Sequence, residues 1–302
     1  MSVTRVGIAG VGLIGGSIGL RARLQQASVV GFDADPAALA RAAERGALDT
    51  TAATLAQLAA GCDLLVIALP VDITAAVLEA LVRMPGPALV IDVASVKAPL
   101  VRSAAGLHCY VGTHPMAGRE RGGIEAAAAG LFEGATWAHS PHPDGALIAR
   151  AREFIRSMGA VPLEIEPARH DAIVALTSHL PQVLSVALGA ELAAAQADEG
   201  VMDLCGPGMM SMLRLAHSPE SVWAPIVAAN AAPLAARLRS MIRALDAAAR
   251  ALEAGESAAL MSYFASARSA AAQLEERLLP GPRSSTYSGA PPLSNPAPPP
   301  AR

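Results

Sequence analysis

The chain has 302 residues, 53% of them apolar and only 3% aromatic, with 23 basic against 26 acidic residues and a formal charge of −3. That length accommodates two domains, and the near-balanced charge lacks the basic footprint of a nucleic-acid binder. Cys62, Cys109 and Cys205 lie far apart, which argues against a disulfide framework or a zinc knuckle and suits a reducing cytoplasm.

Residues 3–9 read as a short apolar strand running into a glycine-rich turn and then a helix carrying Leu13, Ile14, Ile18 and Leu20. Val6–Leu20 follows Arg5 as a secretory core would, but its six glycines and the following Arg21 and Arg23 mark it as structural. Val29–Phe32 reads as a second strand, and Pro36 suits the first turn of a helix over 36–45. The alternation continues with strand 63–69, helix 72–83, strand 88–93, helix 96–104 and strand 109–112. Strand 135–139, helix 144–158 and strand 160–165 complete it. Continuous Val/Ile/Leu strands between helices imply an α/β Rossmann-type parallel sheet covered on both faces, over residues 1–166.

After Pro167 the strand signal stops, and residues 167–279 show helical, Ala-rich spacing broken at Gly206-Pro-Gly208, Pro219 and Pro233. This predicts an all-α second domain whose long apolar faces need a partner, and hence a homodimer formed through it. Residues 280–302 are Pro/Ser-rich and read as a disordered tail, leaving no length after 280 for a regulatory domain. No uninterrupted apolar run approaches a membrane span. The expected location is cytoplasmic, with no membrane and no nucleic-acid partner.

Gly10-Val-Gly12-Leu-Ile-Gly15 lies between the first strand and the first helix. In such a loop the first glycine permits the tight turn, the second admits pyrophosphate to the backbone, and the third lets helix and strand pack closely. Asp33 ends the second strand at about the 20-residue distance of a ribose-binding acid. An acid there repels a 2′-phosphate and no Arg follows it directly, so the cofactor expected is NAD. Candidate cofactor contacts are Gly10, Gly12, Leu13, Ile14, Gly15, Asp33 and Pro70.

The run Gly12-Leu-Ile-Gly-Gly-Ser-Ile-Gly19 resembles the opening of the prephenate/arogenate dehydrogenase family. Asp92-Val-Ala-Ser-Val-Lys97, Gly112-Thr-His-Pro-Met-Ala-Gly-Arg-Glu120, Leu131-Phe-Glu-Gly134 and Thr177-Ser-His-Leu-Pro181 carry the same resemblance in the same order. Arg214-Leu-Ala-His-Ser-Pro-Glu-Ser-Val-Trp223 matches more loosely. The resemblance implies NAD-dependent oxidation of a cyclohexadienyl acid: prephenate to 4-hydroxyphenylpyruvate and CO2, or arogenate to tyrosine. It makes His114 the acceptor of the ring hydroxyl's proton, for which a neutral imidazole suits. Ser95 would hydrogen-bond the same hydroxyl or His114, and could also cap helix 96–104.

By the same resemblance His179 lines the substrate pocket, although a satisfied core histidine before Pro181 accounts for it equally. Arg214 would bind a substrate carboxylate with Trp223 nearby, as guanidinium geometry favours; Arg119 and Glu120 are further substrate candidates. Met210 and Ser211 stand where the family often carries Arg-Asp, and Arg119 where it usually has a small hydroxyl residue. Arg119 would hold the side-chain carboxylate and disfavour the ammonium of arogenate. Every basic residue except Lys97 is Arg; a solvated helix position accounts for Lys97, and a need for a compact ammonium is the sharper alternative. His139-Ser-Pro-His142 reads as a surface loop rather than a metal site, and His108, His170 and His217 belong to no motif.

Two other readings remain. A 3-hydroxyacid or 6-phosphogluconate type of dehydrogenase would want a lysine on the helical domain, where this chain has none. A non-catalytic NAD-binding sensor is disfavoured by the joint presence of Ser95, His114, His179 and Arg214. A dual-specificity cyclohexadienyl dehydrogenase is a variant of the leading reading, and any tyrosine inhibition would act at the active site.

Overall fold

The computed structural model describes residues 4–119, 121–196 and 198–278. Glu120 and the proline-rich segment after 280 lie outside the described residues. Contacts divide the chain into two compact units, one ending at Arg239 and one beginning at Ser240.

The first unit opens with β1 (Arg5–Ala9), α1 (Leu13–Leu24), β2 (Ser28–Phe32), α2 (Pro36–Glu44), β3 (Thr50–Thr51) and α3 (Leu55–Ala60). There follow β4 (Leu64–Ile67), α4 (Val71–Leu81), β5 (Leu89–Asp92), α5 (Ala98–Ser103) and β6 (Tyr110–Val111). These six strands form one parallel sheet in the order β3-β2-β1-β4-β5-β6. All four residues of both β4 and β5 are buried, as a sheet covered on both faces requires. One face packs Ile18, Ala42, Ile148 and Phe154; the other packs Leu58, Val71, Leu78 and Leu100. The expected parallel α/β sheet is therefore present. The periodicity did not reveal β3 and α3, which are too short to show one; the only local signal is Thr54, whose hydroxyl caps α3 at the Gln57 amide.

The chain leaves this sheet at Gly112. β7 (Thr113–Pro115), β8 (Thr136–His139) and β9 (Val161–Glu164) form a separate three-stranded sheet, with β7 antiparallel and β9 parallel to β8. The strand expected at 109–112 is thus split, and the later strands do not extend the parallel sheet. The cause is a contact with the end of β5: the Thr113 amide donates to the Asp92 carboxylate (3.0 Å) instead of a sheet neighbour. α6 (Gly145–Ser157), capped by Asp144, covers the junction.

The helical part begins with α7 (Pro167–Val174), a wide π-type turn at Ala175–His179, and α8 (Leu180–Ala195). The continuous run Pro167–Ala195 has the length and apolarity of a membrane-crossing helix, which uninterrupted apolar runs did not signal. Its buried His170, Asp171, His179, Gln182 and Ser185 identify it as a packed core helix. α9 (Pro207–Leu213), α10 (Glu220–Ala229) and α11 (Ala231–Glu253) follow, with α7 against α5 and α10 against α4. The second unit holds the end of α11 and α12 (Ser257–Leu278), and exposes Ile242, Leu252, Met261 and Phe264.

Candidate active site

The ends of β1 and β4 lie side by side, with Ala9 opposite Ile67, where the strand order turns back on itself. Open α/β sheets hold ligands at this crevice. Gly10 has φ +91°, and a Cβ there would stand 2.3 Å from the Ala68 carbonyl oxygen. A Cβ on Gly15 would stand 1.9 Å from the Gly10 carbonyl oxygen. At Gly12, by contrast, a Cβ would meet nothing within 4 Å. The first and third glycines are therefore demanded by the fold, and the second faces open space. Leu13 and Ile14 begin α1, whose first turn has no side-chain cap and no acidic residue. Its amides and positive dipole end are thus available to an anion. The Asp33 carboxylate accepts from the Val11 amide (2.9 Å) and the Asp35 amide (2.9 Å), binding the end of β2 to the glycine loop. Pro70 is exposed where β4 turns into α4.

Asp92, fully buried at the end of β5, organises the next layer. Its carboxylate accepts from the Tyr110 hydroxyl (2.8 Å), the Ala94 amide (3.0 Å), the Thr113 amide and the Lys97 ammonium. Lys97 also donates to the Thr113 carbonyl (2.7 Å), and the Trp137 indole to the Thr113 hydroxyl (2.9 Å). Lys97 is 2% exposed, so its reading as a solvated helix residue is wrong. A compact ammonium threads the gap between β5 and β7, which a guanidinium fork fits less well. Burial pulls its pKa down, while the Asp92 charge acts in the opposite sense.

Ser95 does not cap α5. The Lys97 and Ala98 amides instead donate to the two carboxylate oxygens of Asp171 on α7, both at 2.8 Å, so the cap comes from a distant helix. Ser95 is half-buried.

This frame fixes His114 in β7, directly after Thr113. Its Nδ1 lies 3.0 Å from His170 Nε2, and His170 Nδ1 lies 2.8 Å from Asp171 Oδ1. Burial first, then the charge of Lys97, holds the His114 imidazole well below its usual pKa. Burial alone would raise the Asp171 carboxyl, but hydrogen bonds from His170 and the Lys97 and Ala98 amides outweigh it and lower its pKa. Asn230, at the end of α10, donates through Nδ2 to the Asp171 carbonyl (2.9 Å) and lies 3.1 Å from His179 Nδ1. The His179 ring meets Trp223 edge to face at 5.9 Å. His179 is fully buried, yet its Nε2 has no hydrogen-bond partner among the described residues, so it is not a satisfied core histidine.

In an unbroken α-helix, nine residues turn through about 900° and put residues 170 and 179 on opposite faces. The π-type turn at Ala175–His179 shifts the phase, and both rings join one network. His170, Asp171 and Asn230 were not found from the sequence. Only the adjacency of His170 and Asp171 one turn into a Pro-started helix hinted at them.

Arg214 begins a short 3-10 turn, Arg214–His217. With Arg119, Arg121, His217, Gly118, Leu215 and Ser218 it lines an open pocket of about 720 Å³. The three guanidinium groups suit an anionic ligand. The two histidines at 139 and 142 separate: His142 accepts from the Asp144 amide in the loop, whereas His139 is 1% exposed in β8, contrary to the surface reading.

A nucleotide crevice on a parallel sheet, a buried histidine network and a cationic pocket define a dinucleotide-dependent enzyme acting on an anion. Family comparison makes this specific. The family model described as prephenate dehydrogenase, nucleotide-binding domain, matches residues 17–163, and that for the prephenate dehydrogenase dimerization domain matches 166–266. The chain belongs to the prephenate dehydrogenase family. It is 33% identical over 247 residues to the probable prephenate dehydrogenase NovF of Streptomyces niveus, spanning 79% of this chain and 66% of that relative. It is 27% identical over 275 residues to the prephenate dehydrogenase of Bacillus subtilis, spanning 86% and 73%. It shares the fold of the A. aeolicus prephenate dehydrogenase solved with hydroxyphenyl propionate and NAD+ (TM-score 0.85, 23% identity, 91% of this chain and 99% of that one).

Proposed function

We propose that this enzyme oxidises prephenate with NAD, releasing CO2 and 4-hydroxyphenylpyruvate for tyrosine biosynthesis. The observation carrying the reading is His114: its Nδ1 lies 3.0 Å from His170 Nε2, and burial with the Lys97 charge lowers its pKa, which favours an imidazole free to receive a proton at its second nitrogen. His114 takes the ring hydroxyl's proton as the hydride leaves, and returns it to that oxygen once departure of the carboxylate as CO2 makes the ring aromatic. Bound NAD supplies the acceptor for the hydride leaving the hydroxyl-bearing carbon. Ser95 orients the hydroxyl. Asn230 Nδ2 must carry hydrogen, because it faces the Asp171 carbonyl; His179 Nδ1 is then an acceptor, and its Nε2, without a partner among the described residues, carries the hydrogen. Arg214 and Arg119 bind carboxylate, and Trp223 packs against His179.

Residues 10–15 fit a pyrophosphate, with space above Gly12 and a bare helix N-terminus below. Asp33 at the ribose position favours NAD over its 2′-phosphorylated form. Two glycine substitutions separate fold from binding. Gly12→Ala should leave Tm unchanged and weaken NAD binding at least about tenfold, about 1.4 kcal/mol. Gly10→Ala should lower Tm, since it adds left-handed strain of about 1–2 kcal/mol to a carbonyl clash. Equal effects of both on Tm would contradict this division.

Arg119 opposes the ammonium of arogenate. Arg119→Ser should cut the ratio of kcat/KM for prephenate over arogenate about tenfold, the loss of one charge-assisted hydrogen bond. An unchanged ratio would remove Arg119 from substrate selection. We place the enzyme in the cytoplasm as a homodimer: the dimerization-domain match and the exposed Ile242, Leu252, Met261 and Phe264 support a second copy. Sedimentation should give twice the chain mass. The reading as a whole is tested by NADH formation with prephenate, arogenate and a 3-hydroxyacid offered separately, with prephenate the best substrate. Arogenate as the best substrate would favour an arogenate dehydrogenase. NAD binding without turnover of any of them would favour a sensor.

A further inference from the structure

We infer that His170 is a positioning residue that, with Asp171, fixes which nitrogen of His114 carries the proton. This rests on the proposed role of His114 but adds a claim about its tautomer. Hydrogen bonds run outward from Asp171. Its Oδ1 accepts the Lys97 amide and its Oδ2 the Ala98 amide, so the carboxylate is fixed against the start of α5. Asp171 is an acceptor only, and its pKa is lowered, so His170 Nδ1, 2.8 Å from Oδ1, must donate. With Nδ1 committed to Asp171, His170 turns its Nε2 to His114 as the acceptor. His114 Nδ1, 3.0 Å from that Nε2, must supply the hydrogen. His114 is therefore protonated on Nδ1 and presents the Nε2 lone pair as the base.

The rings cross at 73° with centroids 5.2 Å apart, which aims the edge of one at the other rather than stacking them. Both His170 (3% exposed) and Asp171 are buried, so water competes poorly for these bonds. Lys97, His179 and Asn230 also face this network, and none of them bonds His114 Nδ1. When His114 accepts the substrate proton at Nε2, the Nδ1–H bond to His170 persists and Asp171 stands behind the new charge. A third group that orients a catalytic base in this way can contribute orders of magnitude to kcat while leaving substrate binding untouched.

The experiment uses the full chain with ¹⁵N-labelled histidine. In the wild-type protein at neutral pH, long-range ¹H–¹⁵N spectra should show His114 as the Nδ1–H tautomer; an Nε2–H tautomer would overturn the inference. His170→Phe, which keeps volume but offers no acceptor, should lower kcat about 100-fold, with KM for prephenate and NAD changing less than about threefold. His170→Gln, whose amide oxygen can accept from His114, should recover at least tenfold of that loss. A kcat for His170→Phe within about twofold of wild type would also overturn it. If His170→Phe fails to fold, the wild-type tautomer and the His170→Gln kinetics still decide the question. Absence of turnover with prephenate would count against the proposed reaction; the tautomer spectrum needs no substrate and tests the positioning role alone.

Discussion

His114→Asn should lower kcat by about 10³-fold, within the span of a lost general base, while NAD binds as tightly as to the wild-type enzyme. The asparagine retains a polar group near His170 but cannot accept and hold a proton. The wild-type pH profile carries a second expectation. The active form of His114 is neutral, so activity is lost as pH falls through its folded pKa. Burial, with the charge of Lys97, holds that pKa well below the ordinary 6.5. kcat/KM should therefore stay level from neutrality to below pH 6.5 and bend only at lower pH. An acidic limb centred at or above 6.5 would mean that a different group is the base, or that Lys97 does not act on His114.

Lys97→Met is expected to be the most damaging substitution for stability. It strands the Asp92 carboxylate in a fully buried position, still accepting from Tyr110, Ala94 and Thr113 but without a counter-charge. Removing one partner of a buried pair costs about 3–5 kcal/mol, on the order of 10 °C in Tm for a domain this size. The double variant Asp92→Asn/Lys97→Met, which removes both charges, should be more stable than Lys97→Met alone. A thermal scan showing Lys97→Met within about 1 kcal/mol of wild type would mean that the pair does not hold β7 in place. The same scan matters for function, because Lys97 bonds the carbonyl just before His114.

The parallel sheet was legible because buried parallel strands are continuous Val/Ile/Leu runs, as in Leu64–Ile67 and Leu89–Asp92. The glycine loop was legible because its first and third positions, Gly10 and Gly15, answer local steric demands, while Gly12 leaves open space. What could not be read was contact between residues far apart in sequence. The split at Gly112 arises from Asp92 capturing the Thr113 amide 21 positions away, and the cap on α5 arises from Asp171 rather than the neighbouring Ser95. Lys97 read as solvated because its partner Asp92 is a β-strand residue whose direction only the fold reveals. His170 was passed over because it belongs to no motif; its place beside His114 depends on α7 packing against α5, and His179 joins the same network through a wide turn that periodicity does not announce.

The proposed reaction requires that this site remove a hydride and a carboxylate from prephenate together. Incubating the full-length enzyme with NAD and prephenate, and measuring NADH and CO2 in the same reaction, tests it most directly. Equal amounts of both are expected from the wild-type enzyme, with both lost together in His114→Asn. NADH without CO2, or NAD binding with neither product, would contradict it.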